Sequence, residues 1–156
     1  MIANGVFHSK LVYMITVWGG APQYLINALQ VQQLRAARTV CGFQSMGWSR
    51  QRLLRKVSWL SVRQLIEYHT VLQAHKSITS GKPALLCESL SVRFAYQTRS
   101  ATNRNINLNS GQLSTGSFKH RAMQTYNRIP CDLRIGTLQT VKQKIKQWVM
   151  KNIPLD

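Results

Sequence analysis

The stretch that decides the fold class is SVRQLIEYHTVLQAHKSITSG, residues 61–81. Ser61 can cap a helix from Val62 to Ser80, because its side-chain oxygen can accept a hydrogen bond from a backbone N–H of the first turn. Gly81 ends this helix, and Pro83 follows. The apolar residues on or near one face are Leu65, Ile66, Val71 and Leu72, with His69 among them. This pattern predicts a long amphipathic helix.

The segments before this helix also have helical patterns. Ser49 can cap a short helix over Arg50–Val57. Between Pro22 and Cys41, apolar residues recur at helical spacing with one polar gap at Gln32-Gln33, and Gly42 is suited to the end. Residues 6–18 are predicted as a short apolar helix or a buried strand, which the sequence GGAP at 19–22 ends.

The segments after it are a polar stretch and two more helices. Residues 91–117 are rich in Ser, Thr, Asn, Gln and Arg, with brief alternation at Ile106 and Leu108. A loop of this length is functional or partly disordered. Ser117–Asn127 has a helical pattern, and Thr137 can cap a final helix to Asn152. The apolar stripe of that last helix is Leu138, Val141, Ile145, Trp148 and Val149.

The predicted fold class is therefore mainly α. We expect a bundle of five to six helices, with a long polar loop or short hairpin inserted near 91–117. The length of 156 residues fits one domain, so residues 1–156 are predicted to form a single helical domain or domain fragment. Within it, residues 91–117 are expected to be a polar, mobile insertion.

The charge of the chain is its most unusual property. There are 21 Lys and Arg against four Asp and Glu, which gives a formal net charge of +17. So much positive charge repels itself unless an anion neutralises it. The phosphate backbone of RNA or DNA is the commonest such partner, because binding releases counterions. An anionic membrane surface is the rival.

The apolar runs and the cysteines bear on the compartment. The longest apolar run, Leu11–Trp18, is far shorter than the roughly 20 residues of a membrane span. It also lacks the features of a signal peptide. The three cysteines, Cys41, Cys87 and Cys131, are odd in number and far apart, which favours free thiols in a reducing compartment. We expect an intracellular protein, cytoplasmic or nuclear, with no membrane span.

Several kinds of active site are disfavoured. Two-metal polymerases, nucleases and glycosidases need clustered carboxylates, whereas the acids here are scattered at Glu67, Glu88, Asp132 and Asp156. No zinc-ligand spacing, P-loop or dinucleotide fingerprint occurs. His69 fits a core histidine, while a Cys–His nucleophile pair stays open because such pairs are spatial. We predict no catalytic residue, metal ligand or cofactor.

The basic residues are the feature of the sequence that indicates a function. SRQRLLRK at 49–56 places four cations on one short helix flanked by Trp48 and Trp59, and its N-terminus suits a phosphate. Within 91–117, arginines alternate with Phe94, Tyr96 and asparagines, which is the chemistry of RNA or single-strand contact. One such run can be a solvated face, but all of them together favour nucleic acid. The predicted nucleic-acid-binding residues are Arg35, Arg38, Arg50, Arg52, Arg55, Lys56, Arg93, Arg99, Arg104, Lys119 and Arg121.

Five sequence motifs follow one another along the chain. They are VYMITVWGG at 12–20, with a Tyr before Trp-Gly; LQVQQLRAARTVCG at 29–42; LSVRQLI at 60–66; Thr98-Arg99; and FKHRAMQTYNRIP at 118–130. The second has the form L-Q-x-x-Q-x-R-A-x-R, and the last has the form F-x-x-R-A-x-x-x-Y-N-x-I-P. A closing helix of the F-K-x-x-[LI]-K-x-W type follows at 141–148, with Val141 where an aromatic is usual.

These motifs resemble the segment after the catalytic core of reverse transcriptases from non-LTR (LINE-like, Jockey-type) retrotransposons, over nearly the whole chain. The paired catalytic aspartates of that family are absent, as are its endonuclease and any zinc knuckle. The resemblance implies a carboxy-terminal piece, following or overlapping the thumb, of an RNA-directed DNA polymerase of a transposable element. It implies no polymerisation by this chain alone. It implies instead a grip on template RNA, primer or target DNA beside the upstream reverse transcriptase core.

A second hypothesis assigns the chain to protein interaction. Its apolar helix faces would then dock on the polymerase core or another partner, and the charge would be incidental. The tryptophans expected to take part are Trp18, Trp48, Trp59 and Trp148.

Overall fold

The computed structural model describes residues 4–90, 105–106 and 117–154, and within them the regular structure is helical. The predicted mainly α class is confirmed. The helices are α1 (Ser9–Val12), α2 (Ile15–Trp18), α3 (Gln23–Cys41), α4 (Arg50–Lys56), α5 (Val62–Ser80), α6 (Ala84–Ser89), α7 (Phe118–Arg128) and α8 (Leu138–Asn152). A π turn at Asn4–His8 and 3-10 turns at Phe43–Ser45 and Cys131–Arg134 accompany them.

The described ranges contain more helices than the five or six expected, for two reasons. The apolar segment 6–18 is neither one helix nor a strand, because Met14 adopts a left-handed conformation (φ 52°) between α1 and α2. The Trp18 indole N–H donates to the Tyr13 carbonyl at 2.9 Å, so the break does not leave that carbonyl unpaired. The second reason is α6, a short helix that follows Pro83. The predicted hairpin near 91–117 lies almost entirely outside the described residues.

Four predicted helix starts are confirmed by the capping hydrogen bonds. In each case a side-chain hydroxyl accepts from the backbone N–H three residues later, which satisfies one donor of the first turn. The donor–acceptor pairs are Arg52–Ser49 (3.3 Å), Gln64–Ser61 (3.2 Å), His120–Ser117 (3.3 Å) and Thr140–Thr137 (3.4 Å). Gly42 ends α3 with φ +71°, a conformation that L side chains rarely adopt.

The chain divides into two compact units. The first unit comprises Met1–Ile66 and Met150–Asp156, and the second unit comprises Glu67–Val149. The prediction of a single domain stays a prediction.

The core of the first unit is built by α3 and α4. Its buried residues are Leu34, Ala37, Leu53, Leu54, Val57 and Trp59. Trp59 is 7% exposed and stacks on Phe7, with ring centroids 5.9 Å apart. Trp59 is therefore part of the core and is not exposed for docking on a partner.

The end of α4 is fixed by a Schellman motif. The N–H of Trp59 donates to the Leu54 carbonyl at 2.9 Å, and that of Ser58 donates to the Arg55 carbonyl at 3.1 Å. Ser58 occupies the position where glycine is usual, with φ 59°. This turn brings Trp59 back onto Leu54 and so closes the core around α4.

Buried glutamines join α3 to the start of α5. Gln33 is fully buried and donates to the Leu60 carbonyl at 2.8 Å. Gln30 donates to the Gln33 side-chain oxygen at 2.9 Å and accepts from the Val62 N–H at 2.8 Å. These bonds satisfy a first-turn donor of α5 and a loop carbonyl. One residue of the polar gap predicted at Gln32-Gln33, namely Gln33, is thus buried and makes hydrogen bonds inside the protein.

Gln64 completes this polar network within the first unit. Its side-chain oxygen accepts from the Ser61 N–H at 3.1 Å, which makes a reciprocal capping box with the Ser61 hydroxyl. Its amide nitrogen donates to the Ile153 carbonyl at 2.9 Å. The network therefore ties the residues after α8 to the first turn of α5.

The second unit buries one face each of α5, α7 and α8. Its buried apolar residues include Val71, Leu72, Ala74, Leu90, Ile106, Ala122, Tyr126, Ile129, Val141, Ile145 and Val149. The predicted stripe of α8 is confirmed for Val141, Ile145 and Val149, whereas Leu138 and Trp148 are half-buried.

His75 is a buried titratable group of the second unit. It is 5% exposed, and neither ring nitrogen has a hydrogen-bond partner within the described part of the chain. Burial lowers the pKa of the imidazole below its ordinary value of 6.5, because desolvation penalises the charged form.

The free energy of unfolding should therefore fall as the pH is lowered through about 6.5, because the unfolded chain takes up a proton that folded His75 does not. The contribution of His75 to the slope is at most about 1.4 kcal/mol per pH unit. Thermal unfolding between about pH 7.5 and pH 5.5 measures it. His75→Leu should flatten the dependence of the free energy of unfolding on pH. His69→Leu, on the same helix, should leave the part of this dependence that comes from His75 unchanged. Equal slopes in the two variants would contradict this assignment.

Candidate nucleic-acid interface

The first unit contains a long stretch without any acid. Residues 1–66 carry eight Lys and Arg and no Asp or Glu. No carboxylate lies within this stretch, so these cations can be neutralised only by acids elsewhere in the chain or by an external anion. The eight are Lys10, Arg35, Arg38, Arg50, Arg52, Arg55, Lys56 and Arg63.

The four cations of α4 are all exposed. At about 100° per residue, Arg52 and Arg55 fall on the side of α4 opposite to the buried Leu53 and Leu54. Lys56 flanks the leucine face, whereas Arg50 lies on the same side as the leucines, at the first residue of the helix. Packing of the leucine face thus fixes the direction of Arg52 and Arg55.

Trp48 supports one of these cations. The Arg52 guanidinium lies over the indole ring at 4.5 Å from its centroid, a cation–π contact. Trp48 itself is half-buried and packs against the core cluster of α3 and α4. The contact holds Arg52 near a rigid surface.

The N-terminus of α4 is used by the chain itself. The Ser49 hydroxyl accepts the Arg52 N–H, the group that a phosphate was expected to engage. The positive character of this region therefore comes chiefly from side chains and not from the helix terminus.

Two further predicted residues lie on the helix packed against α4. Arg35 and Arg38 are exposed on α3, which contributes Leu34 and Ala37 to the shared core. The structure thus places six predicted residues on two neighbouring helices, and we call them the basic cluster: Arg35, Arg38, Arg50, Arg52, Arg55 and Lys56.

The connection between these two helices exposes apolar side chains. Phe43 is 91% exposed and Met46 is 79% exposed. Neither side chain contributes to the core, whereas Ser45 between them is buried and donates to the Gly42 carbonyl at 2.7 Å. An exposed aromatic ring is able to stack on a nucleic-acid base.

The remaining predicted residues do not belong to the basic cluster. Lys119 and Arg121 are half-buried on α7 in the second unit. The Arg121 side-chain atoms Nε and Nη1 are buried, and burial lowers the pKa of its guanidinium. Arg93, Arg99 and Arg104 lie outside the described residues.

The motif YNRIP at 126–130 is organised by a residue that the sequence analysis missed. Arg134 is 8% exposed, and its Nε donates to the Ile129 carbonyl at 2.8 Å. Its Nη2 donates to the carbonyls of Ile129 and Asn127, and its Nη1 donates to the Asn105 side-chain oxygen at 3.0 Å. The guanidinium also lies 4.8 Å from the Tyr126 ring centroid. Arg134 therefore supplies donors to carbonyls at the end of α7.

Asn127 connects the same motif to residue 106. Its side-chain oxygen accepts from the Ile106 N–H at 2.8 Å, and its amide nitrogen donates to the Ile106 carbonyl at 3.0 Å. Ile106 is 2% exposed, so both backbone groups are paired where water is scarce. Asn127 and Arg134 thus form a clasp around residues 105–106, and the Arg134 guanidinium lies over the Tyr126 ring. The sequence signal for it is Pro130, which stops α7 and leaves carbonyls that need donors.

Other kinds of site find little support in the part of the chain described. The three cysteines are half-buried free thiols. The described residues contain no group of three His, Cys, Asp or Glu placed to hold a metal ion. Among the described helices, none is both long and apolar enough to cross a membrane.

Comparison of the chain with protein-family models, with curated protein sequences and with solved structures gave no match.

Proposed function

We propose that this chain is a non-catalytic nucleic-acid-binding module whose basic cluster binds the phosphate backbone of RNA or single-stranded DNA. The observation that carries the proposal is the acid-free stretch of residues 1–66, in which six exposed cations lie on two packed helices. Nearby carboxylates would compete with phosphate for these cations, and this stretch has none. The exposed Phe43 ring, on the connection between the two helices, suits stacking on a base.

We further propose that the module derives from the carboxy-terminal part of a non-LTR retrotransposon reverse transcriptase. The support is the order and spacing of the sequence motifs. In addition, Gln30 and Gln33 of one motif, and Tyr126 and Asn127 of another, make the hydrogen bonds and ring contacts of the interior. Residues with such roles are expected to recur within a family. Sequencing the genomic DNA upstream should reveal a frame that encodes paired catalytic aspartates, whereas an unrelated upstream frame would count against this origin.

The binding proposal is tested by removing the charge of α4. Replacing Arg50, Arg52, Arg55 and Lys56 by Gln should weaken binding to a short single-stranded oligonucleotide and flatten its salt dependence. Each lost phosphate contact lowers the slope of log K against log salt by about 0.7. Fluorescence anisotropy at several salt concentrations measures both quantities.

A variant of equal charge change provides the control. Replacing Lys142, Lys144, Lys146 and Lys151 by Gln removes the same number of charges, from α8 instead of the basic cluster. This control should retain most of the affinity and slope. Equal losses in the two variants would mean that net charge alone attracts the oligonucleotide. Absence of binding at low salt would overturn the proposal.

Docking on a protein partner is a second candidate, favoured by the apolar surface of the first unit. Tyr13 is 75% exposed and Tyr24 is 70% exposed, in addition to Phe43 and Met46. Co-expression with the upstream polymerase core should then raise the soluble yield, and Tyr24→Ser should remove that gain. No dependence of the yield on the core would exclude this role.

A further inference from the structure

The first unit contains a cavity that the basic cluster does not use. It has a volume of about 420 Å³ and is lined by Phe7, Lys10, Leu11, Trp18, Leu29 and Gln32. This volume lies in the range of about 300–1,000 Å³ that is usual for small-molecule sites. All of its lining residues belong to the acid-free stretch.

The walls of the cavity offer aromatic surface. Phe7 and Trp18 both line the cavity and are half-buried, and Phe7 also stacks on Trp59. The Trp18 indole N–H already donates to the Tyr13 carbonyl, which fixes the ring and leaves its π surface as the means of recognition. A flat aromatic ligand is therefore better suited to these walls than a flexible aliphatic one.

The two polar residues of the cavity add a charge and an amide. Lys10 and Gln32 are both exposed. A lysine ammonium binds phosphate as a point charge, and a glutamine amide can pair with the edge of a base. The groups around this cavity match the parts of a nucleotide. The aromatic rings suit the face of a base, the glutamine amide suits its edge, and the lysine suits the phosphate.

We propose that this cavity receives one unstacked base of a single-stranded nucleic acid, with the adjoining phosphate at Lys10. The inference rests on the proposed function, and it specifies single strands, because a base stacked within a duplex cannot enter a pocket without being extruded. The cation, and the absence of acids from residues 1–66, favour an anionic chain over the apolar side chain of a protein.

The test compares two oligonucleotides of the same length and charge: a short single-stranded oligothymidylate and its fully abasic counterpart. Phosphate contacts are equal in the two, so any difference in affinity comes from the bases. We expect the chain to bind the base-containing strand about 5- to 150-fold more tightly, the range for stacking of one base on an aromatic side chain. This comparison needs no variant.

A variant that fills the cavity tests whether this difference in affinity arises at the cavity. Gln32→Trp places a bulky indole at the wall of the cavity and should lower the ratio of the affinities for the base-containing and abasic strands towards 1, while any stacking on Phe43 is common to the wild type and the variant. Binding of the abasic strand should stay unchanged. Gln143→Trp, the same substitution at an exposed position of α8, should keep the wild-type ratio. A ratio that persists in Gln32→Trp overturns the assignment to this cavity.

The outcomes separate the inference from the proposed function. If the wild-type chain binds both strands equally, the phosphate-binding function stands and the base pocket is wrong. If it binds neither strand, the proposed function fails and the pocket assignment fails with it. A duplex of the same sequence should show no base-dependent gain, and a gain equal to that of the single strand would also contradict the inference.

Discussion

Replacing Arg134 by methionine is expected to destabilise the second unit by about 3 kcal/mol or more. The substitution removes a buried charge, which is favourable in itself, and burial already lowers the pKa of this guanidinium. The carbonyls of Asn127 and Ile129 and the Asn105 side chain nevertheless lose a donor. Each acceptor left unpaired costs about 1–3 kcal/mol, so we expect the loss to exceed the gain.

Urea unfolding monitored by circular dichroism measures this difference, and Arg128→Met is the matched control. Arg128 is exposed at the end of α7, and its side chain lies 3.8 Å from a carboxylate oxygen of the partly buried Glu67. Only one partner of this ion pair is exposed, so the control should cost about 1 kcal/mol, clearly less than Arg134→Met. Similar midpoints for the two variants would show that Arg134 does not hold the clasp together.

The second large effect is expected for Gln33→Met in the first unit. Methionine has a similar shape but cannot pair with the Leu60 carbonyl or with the Gln30 amide nitrogen, which bond to Gln33 at 2.8 and 2.9 Å. The buried Leu60 carbonyl and the half-buried Gln30 amide then lose their partner, at a cost of about 1–3 kcal/mol for the first and less for the second. The start of α5 should also lose order, because Gln30 accepts from the Val62 N–H.

Gln32→Met is the control for this substitution. It changes the adjacent, exposed residue of the same helix, and its effect on the free energy of unfolding should be within about 0.5 kcal/mol. Chemical unfolding of the two variants under one buffer condition gives the comparison. Hydrogen exchange at the first turn of α5 provides a local readout, which should increase in Gln33→Met alone. Unchanged exchange there would contradict the proposed link between α3 and α5.

The helices could be predicted because their signals are local. Ser49, Ser61 and Ser117 each act on a backbone N–H three residues away, so the sequence contains both partners of each bond. By contrast, nothing around Met14 marks the break between α1 and α2, since the segment contains neither proline nor glycine there. The helix Ala84–Ser89 has six residues, too few for an apolar period to be recognised.

The interior contacts could not be predicted because their partners are distant in the chain. Gln33 and Leu60 are 27 residues apart, and Arg134 and Asn105 are 29 residues apart. A glutamine in a helix and an arginine in a turn are ordinary surface residues on composition alone. Conversely, the exposure of Arg52 and Arg55 could be predicted, since the apolar period of α4 determines their side of the helix.

The glutamine network of the first unit has a consequence for measurements in solution. Gln30, Gln33, Gln64 and Ser61 are electrically neutral at all ordinary pH values, so added electrolyte does not screen the bonds among them. The scaffold beneath the basic cluster should therefore stay folded over a salt range that abolishes phosphate binding, and its melting temperature should not fall, because salt also screens the repulsion among the excess cations. An ionic-strength titration can then report ligand release from a scaffold that stays folded.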